Sequence, residues 1–418
     1  MSESAMPAEV SLSPGALKGV LVLDVTQMLA GPLAGMRLGD LGADVVKIEP
    51  PGTGEFNRRY GFGDTRVDGL MTTFLALNRN KRSVAVDLKH PQGREVVQEL
   101  VRHADVILHN FRIGTAERIG IGWEELHAIN PRLVYCQISG YGSEGPYRNR
   151  PGQDLVVQGY SGSMFSVGKL GDPPLPSALW GADVMTGYQA AIGILAALIA
   201  RQRTGTGQKV EVNMLSVILD SQLQEFVTFL NSHSLPRRGR EWTAHASIGA
   251  PYGVYETKDA WITLAMCPLP ALGEALEDDW LKTLTDPADP ANRRDEVYAR
   301  IRNRFRERTT SEWIEIFDRC GLWGGPVYTY EDVVSDPHVV ETGMIVTQQE
   351  GSSGPIRTVR PPISMSDTPP GIRRGAPRLG EDTRSVLAEV LGYDEERLDA
   401  LVASGVIEAY STQGAVQQ

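Results

Sequence analysis

Apolar positions in the N-terminal half come in short continuous runs separated by amphipathic stretches. Residues 19–26 (GVLVLDVT) form one such run, and a continuous run suits a strand buried on both faces of a parallel sheet. A helix is expected at 34–41 and a strand at 43–49, which completes a βαβ unit. Further strands are expected at 83–87, 104–109 and 133–138, with helices at 91–102 and 123–129 between them. Strands alternating with helices indicate an α/β doubly wound sheet.

A long apolar helix follows, apolar on every side over 190–200, which reads as fully buried. It stops at Arg201, Gln202, Arg203 and the glycines of TGTG, and a strand is expected at 209–212. The character then changes. A helix at 215–230 leads into a polar, arginine-rich loop at 231–243, then a hairpin over 251–266 turning at Lys258 and Asp259. Helices are expected at 271–276 and 294–307, a proline-rich surface connection at 360–377, and a final helix pair at 382–391 and 394–403. The resulting division has a disordered lead (1–15), a large domain (16–221), a small domain (222–323), a linker with return to the large domain (324–410) and a frayed tail (411–418).

Charge and cysteine usage narrow the class. The chain has 418 residues and a net charge of −11, which argues against a nucleic-acid partner but leaves room for a local basic pocket. Cys136, Cys267 and Cys320 lie far apart, with no CxxC pair and no metal-ligand spacing. Such a sparse set fits a reducing compartment, and no metal is expected. The apolar run at 190–200 is too short to span a bilayer, and the N-terminus lacks the basic start and apolar core of a secretory signal. These features predict a cytoplasmic protein with no membrane partner.

The candidate chemistry centres on Asp183, where a polar approach meets the long helix. A carboxylate there faces unpaired N–H groups and the positive end of the helix dipole, which are expected to hold it ionised. An ionised carboxylate can attack an activated acyl group. The same position also suits a simple N-cap, for which Asp is among the preferred residues.

The order acid, apolar helix, RxxTGxGQ and strand resembles the class III CoA-transferase family. That family includes the formyl-CoA, carnitine and bile-acid CoA-transferases, with the α-methylacyl-CoA racemases as a branch. The segments LKGVLVLDVTQMLAGPLAGMRLGDLGADVVKIEPPGTGE and LNRNKRSVAVDLKHPQGREVVQELVRHADVILHNFRIGTAERIGIGWEELHAINPRLVYCQISGYG are similar to its opening units, and GPVYTYEDVVSDPHV and GAPRLGEDTRSVLAEVLGY to its C-terminal half. The resemblance covers nearly the whole chain. It implies a Rossmann-like large domain made from both chain ends, an inserted small α+β domain, and two chains interlocked as a homodimer. It implies an enzyme that moves CoA from an acyl-CoA donor to a small carboxylic acid, with no permanently bound cofactor and with coenzyme A as a substrate.

The resemblance places the nucleophile on Asp183, through an aspartyl anhydride and an aspartyl-CoA thioester. It places CoA contacts on Met28, Leu29 and Ala30, on Val86 and Lys89, on Asn110 and Phe111, and on Arg118. Singly, each has a plain alternative: Lys89 and Arg118 as surface charges, Phe111 as core, Asn110 as a turn residue. The run Arg79, Lys81, Arg82 is a solvated face unless the fold turns it inward. Many members carry Arg after the acid ending the second strand, but here Glu49 is followed by Pro50 and Pro51, so Arg58 or Arg59 is the candidate replacement for a phosphate contact. The racemase branch pairs its acid with the His of a GHD motif, whereas this chain reads Gly152, Gln153, Asp154. Glutamine carries no proton, so the racemase is the secondary reading, and Gln153 is a candidate substrate contact or a loop amide. Asp154 reads as a turn or cap. The consecutive glycines of the oxalate-using lid are missing from HASIGAPYGVYE. A nicotinamide oxidoreductase would need GxGxxG, and Gly31, Gly35, Gly39 and Gly42 have the wrong spacing. A non-catalytic CoA-binding regulator is a further reading, opposed by Asp183 in its context.

Overall fold

A computed structural model of the chain describes residues 14–235, 237–348 and 355–411. Nearly all of the expected lead and tail lie outside these residues. The described residues fall into two compact units, drawn from Met1–Val157 with Trp180–Ile218 and Glu341–Gln418, and from Gln158–Leu179 with Leu219–Val340.

The first unit is built on a sheet with, among the described residues, seven strands. Leu21–Asp24, Asp44–Glu49, Lys81–Val86, Val106–His109, Val134–Ser139 and Lys209–Asn213 are parallel. Numbered along the chain, these six lie in the order 3-2-1-4-5-6, the doubly wound Rossmann order. Ile407–Glu408 adds an antiparallel edge beside Lys81–Val86, so the C-terminal end completes the sheet begun by the N-terminal end. The apolar runs are continuous because both faces are covered: Val22 and Leu23 are neighbours in sequence yet enter separate cores. The order reverses between the first and fourth strands, and ligands bind at the carboxyl ends of such a switch point.

The first helix starts at Ala30, earlier than expected, and runs to Asp40. It packs against Gly181–Thr204, the long apolar helix. A Cβ on Gly187 would stand 2.7 Å from the Ala30 carbonyl oxygen, so glycine is what lets the two helices approach. The long helix is only half buried, which corrects the expectation of full burial. Ala190, Ile194 and Ala197 face the sheet, while Met185, Ile192 and Ile199 form an exposed apolar stripe. At 24 residues it is also long and apolar enough to cross a bilayer, which the run 190–200 alone did not suggest. The expected helix at 215–230 is two helices, Met214–Asp220 and Leu223–Ser232.

The second unit surrounds its own core of Ile262, Leu272, Phe305, Trp313 and Phe317. The hairpin is present as Gly253–Glu256 and Trp261–Leu264, with Gly324–Pro326 as a third strand. This unit begins and ends differently from the expected 222–323. It extends to Val340, and it includes Gln158–Leu179, which pattern alone assigned to the large domain. Long-range hydrogen bonds are the reason: Leu170 N–H donates to Gly239 C=O at 2.7 Å, and the Arg238 guanidinium donates to the carbonyls of Met164 and Asp172 at 2.8 and 2.7 Å.

Candidate functional site

The loop after the first strand is held in a fixed shape from two sides. Asn110, directly after the fourth strand, donates to Gln27 C=O at 2.7 Å and accepts from Gln27 N–H at 3.0 Å. On the other side Met28 N–H donates to Glu55 Oε2 at 3.0 Å, and Asn57 Nδ2 donates to Met28 C=O at 2.6 Å. These contacts hold Met28 at φ +71, a left-handed conformation uncommon for a side chain with a Cβ. The two loops bridged in this way flank the switch point.

Buried charge supports the loop from below. Lys47 donates to Thr26 C=O at 2.9 Å. Lys81 lies fully buried against Asp24 Oδ2 at 2.7 Å, Asn78 Oδ1 at 2.9 Å and Pro32 C=O at 2.9 Å. Burial pushes the Asp24 carboxyl upward, but Lys81 and Lys47 outweigh it and hold the group below the usual carboxylate value. Arg79 is likewise buried, donating to both oxygens of Asp40 at 2.9 and 2.8 Å. The basic run is therefore turned inward and is not a solvated face; Arg82, half buried, pairs with Asp44 and Glu389. Arg58 is also occupied. It grips Glu49 with two bonds of 2.7 and 2.6 Å and lies over the Phe74 ring at 3.8 Å. It supports the fold and lies outside the cavity, as does the exposed Arg59.

Above the switch point opens a cavity of about 680 Å³. Met28, Ala30, Asn110, Phe111, Arg118, Gln153 and Asp183 all line it. Three other expected contacts do not. Val86 is packed in the core, Lys89 is exposed with its N–H donated to Asp87 at 2.8 Å, and Leu29 does not reach the lining. The fold brings in residues the sequence reading passed over: Arg112 beside Phe111, and Arg148 and Arg150 from the segment after the fifth strand. With Arg118, the lining holds four guanidinium groups and one carboxylate. This is a local basic pocket on an acidic chain. Arg148 and Arg150 sit in YRNRPGQ, and their alternation with polar and proline residues was the available signal. A Cβ on Gly152 would stand 2.5 Å from Gly140 Cα, so these glycines clasp the segment to the strand end and set where Gln153 begins.

Asp183 is the third residue of Gly181–Thr204, and its helix is not capped by its own side chain. The cap position is Trp180, held at φ 51. Asp154, buried, supplies the acceptor: its Oδ2 takes the Asp183 N–H at 3.0 Å. Asp154 thus has the cap role expected for it, and the Asp183 carboxyl is left facing the cavity. Burial, and then the neighbouring Asp154 charge, push the Asp183 carboxyl up to about 7. This corrects the expectation that the helix terminus holds it ionised, because desolvation and a like charge outweigh the dipole. A carboxyl near 7 is a perturbed group in a cleft, the kind that marks chemistry. Among the described residues, no group of three or more His, Cys, Asp or Glu side chains is placed to hold a metal ion.

The description CoA-transferase family III matches residues 17–383. The chain is 36% identical over 408 residues to the succinyl-CoA:glutarate CoA-transferase of Mus musculus, covering 95% of this chain and 91% of that one. It is 32% identical over 424 residues to a formyl-CoA:oxalate CoA-transferase of Rhodopseudomonas palustris, covering 94% and 97%. The crystal structure of a CaiB/BaiF family protein from Brucella suis matches with a TM-score of 0.80 at 32% identity, over 90% of this chain and 100% of that one. With the switch-point cavity, the basic lining and the match over nearly the full length in agreement, this chain belongs to CoA-transferase family III.

Proposed function

We propose that the enzyme moves CoA from a short acyl-CoA to a small carboxylic acid, with Asp183 as the covalent nucleophile. The observation that carries this reading is one cavity lined by Asp183 and four arginines. An ionised Asp183 oxygen attacks the thioester carbonyl carbon, the C–S bond breaks, and CoA thiolate leaves. The product is a mixed anhydride. The thiolate then attacks the Asp183 Cγ, releasing the donor carboxylate and leaving an aspartyl-CoA thioester. The acceptor carboxylate attacks that carbon and again displaces the thiolate. The thiolate finally takes the acceptor acyl group and frees Asp183. A carboxylate suits this cycle because each intermediate lies near the energy of the reactant thioester; a serine ester would be too stable to pass the group on.

The arginines supply the counter-charge. CoA brings a diphosphate and a 3′-phosphate, and planar guanidinium groups match phosphate and carboxylate alike. Succinyl-CoA as donor and a dicarboxylate as acceptor fit this lining and the names of the relatives. Phe111 offers a ring for the adenine. The racemase reading draws on the Asp183 value near 7, which suits proton transfer, but its partner position is Gln153, which carries no proton. We also infer a homodimer, supported by the exposed stripe of Met185, Ile192 and Ile199, and a cytoplasmic location, supported by the three unpaired cysteines.

The test is incubation with succinyl-CoA and a pool of carboxylic acids, with mass spectrometry of the CoA esters and of the intact protein. A new CoA ester, together with a protein adduct that disappears in Asp183→Ala, is the expected result. Turnover in Asp183→Ala at the wild-type rate would remove the assigned nucleophile.

A further inference from the structure

The second unit contains a cavity of its own, about 530 Å³ in volume, sharing no residue with the Asp183 cavity. One wall is the face of helix Arg294–Phe305 that carries Tyr298 and Arg302, continued one turn on by Arg306. A second is the hairpin, where Trp261 stands opposite Glu256. The third is a pair of loops carrying Lys169, Arg240 and Trp242, tied together by the Gly168–Thr243 bridge.

Two ion pairs cross between these walls. Arg302 donates to Glu241 at 2.5 Å, and Arg306 pairs with Glu256. They use up both acids of the lining. The Lys169 ammonium and the Arg240 guanidinium, both exposed, have no ion-pair partner among the described residues, while their backbone N–H groups donate to the carboxylates of Asp172 at 2.9 Å and Asp295 at 3.0 Å. The cavity therefore carries an excess of two positive charges on a chain whose net charge is −11. Beside those cations, Trp242 and Trp261 leave 47% and 51% of their surfaces open. Exposed indoles offer flat apolar faces, and unpaired cations offer charge-assisted hydrogen bonds. A concave site that combines the two selects a planar ring bearing an anionic group.

We propose that this cavity binds a small ring-bearing anion, a nucleoside phosphate or an aromatic carboxylate, with Trp242 and Trp261 against the ring and Lys169 and Arg240 on the anion. The volume accommodates one such molecule, and the ion pairs keep the two arginines of the helix wall from collapsing onto it.

The test is calorimetric titration of the full chain with AMP and, separately, with benzoate, both with CoA held at saturation so that the Asp183 cavity is filled. Saturable binding of either probe is expected, and the stronger one identifies the source of the anion. Loss of two charge-assisted contacts in the Lys169→Ala, Arg240→Ala double variant should weaken it by roughly tenfold or more, with the rate of CoA transfer unchanged. Lys169→Arg should retain binding, and Trp242→Ala should lose it. Absence of saturable binding by both probes, or binding that survives the double variant intact, overturns the proposal. Because CoA transfer is followed in the same samples, failure here leaves the Asp183 assignment standing.

Discussion

Replacing Asp154 with Asn removes one negative charge beside Asp183 while keeping an oxygen to accept the Asp183 N–H. The usual carboxyl value is 3.8, and burial and Asp154 together raise Asp183 to about 7. Burial is the larger cause, so the Asp154 charge supplies less than half of a rise of about three pH units. Its share is roughly one pH unit, or about 1.4 kcal/mol. The nucleophile must be ionised, so kcat/KM should rise with pH through about 7 in the wild type and through a midpoint roughly one unit lower in Asp154→Asn. At pH 6 the ionised fraction then grows from about a tenth to about a half, and the relative rate by about fivefold. The sign for stability follows from the same raised value. Ionising Asp183 in the fold becomes costly as pH rises from about 4 towards 7, so Asp154→Asn should stabilise the protein above pH 7 and not below pH 4. Partial exposure of Asp183 makes about 1.4 kcal/mol an upper figure. The assay is the pH dependence of kcat/KM for succinyl-CoA at constant ionic strength. An acid limb that stays in place, or moves up, would refute the role given to the Asp154 charge. Asp154→Ala loses the acceptor as well as the charge, so it should be about 1 kcal/mol less stable than Asp154→Asn at every pH, which separates the cap from the charge.

Asp183→Ala should lower transfer by about 10⁴-fold or more while CoA still binds, as seen by stopped-assay kinetics and calorimetry. Lys81→Met strands the fully buried Asp24 charge and should cost about 3–5 kcal/mol, measured as a fall in the urea midpoint at unchanged slope. Gly152→Ala drives a Cβ to 2.5 Å from Gly140 Cα, so it should cost about 1–3 kcal/mol and raise KM by displacing Gln153. Gln153→His should not by itself exchange the α-proton; deuterium entering the α-position of an acyl-CoA in heavy water would contradict this.

Much of the first unit was legible because parallel strands buried on both faces leave continuous apolar runs, and 19–26, 43–49 and 104–109 each contain an observed strand. Pattern was weaker where long-range pairing decides. The segment 158–179 has no strong periodicity, and only its bonds to 238–246 assign it to the second unit. The long helix looked buried because its composition is apolar all round, yet sequence cannot distinguish a side facing a core from an apolar side left open. In the site, the family resemblance named Met28 and Asn110 and the head of the long helix named Asp183, and all three line the cavity. Val86 was misplaced because a strand residue next to a cavity-forming loop can still point into the core.

By itself, the sequence determined the alternation of strands and helices, the family resemblance and the identity of the acid at the head of the long helix, because these depend on local order along the chain. The tertiary structure alone decided what that acid is. Burial and the approach of Asp154, 29 residues earlier, lift its titration towards neutrality. The same folding turns Arg58, Arg79 and Lys81 inward as structural charges and gathers Arg112, Arg118, Arg148 and Arg150 around one cavity. Desolvation and charge–charge distance are properties of three-dimensional neighbours, and no spacing along the chain encodes them.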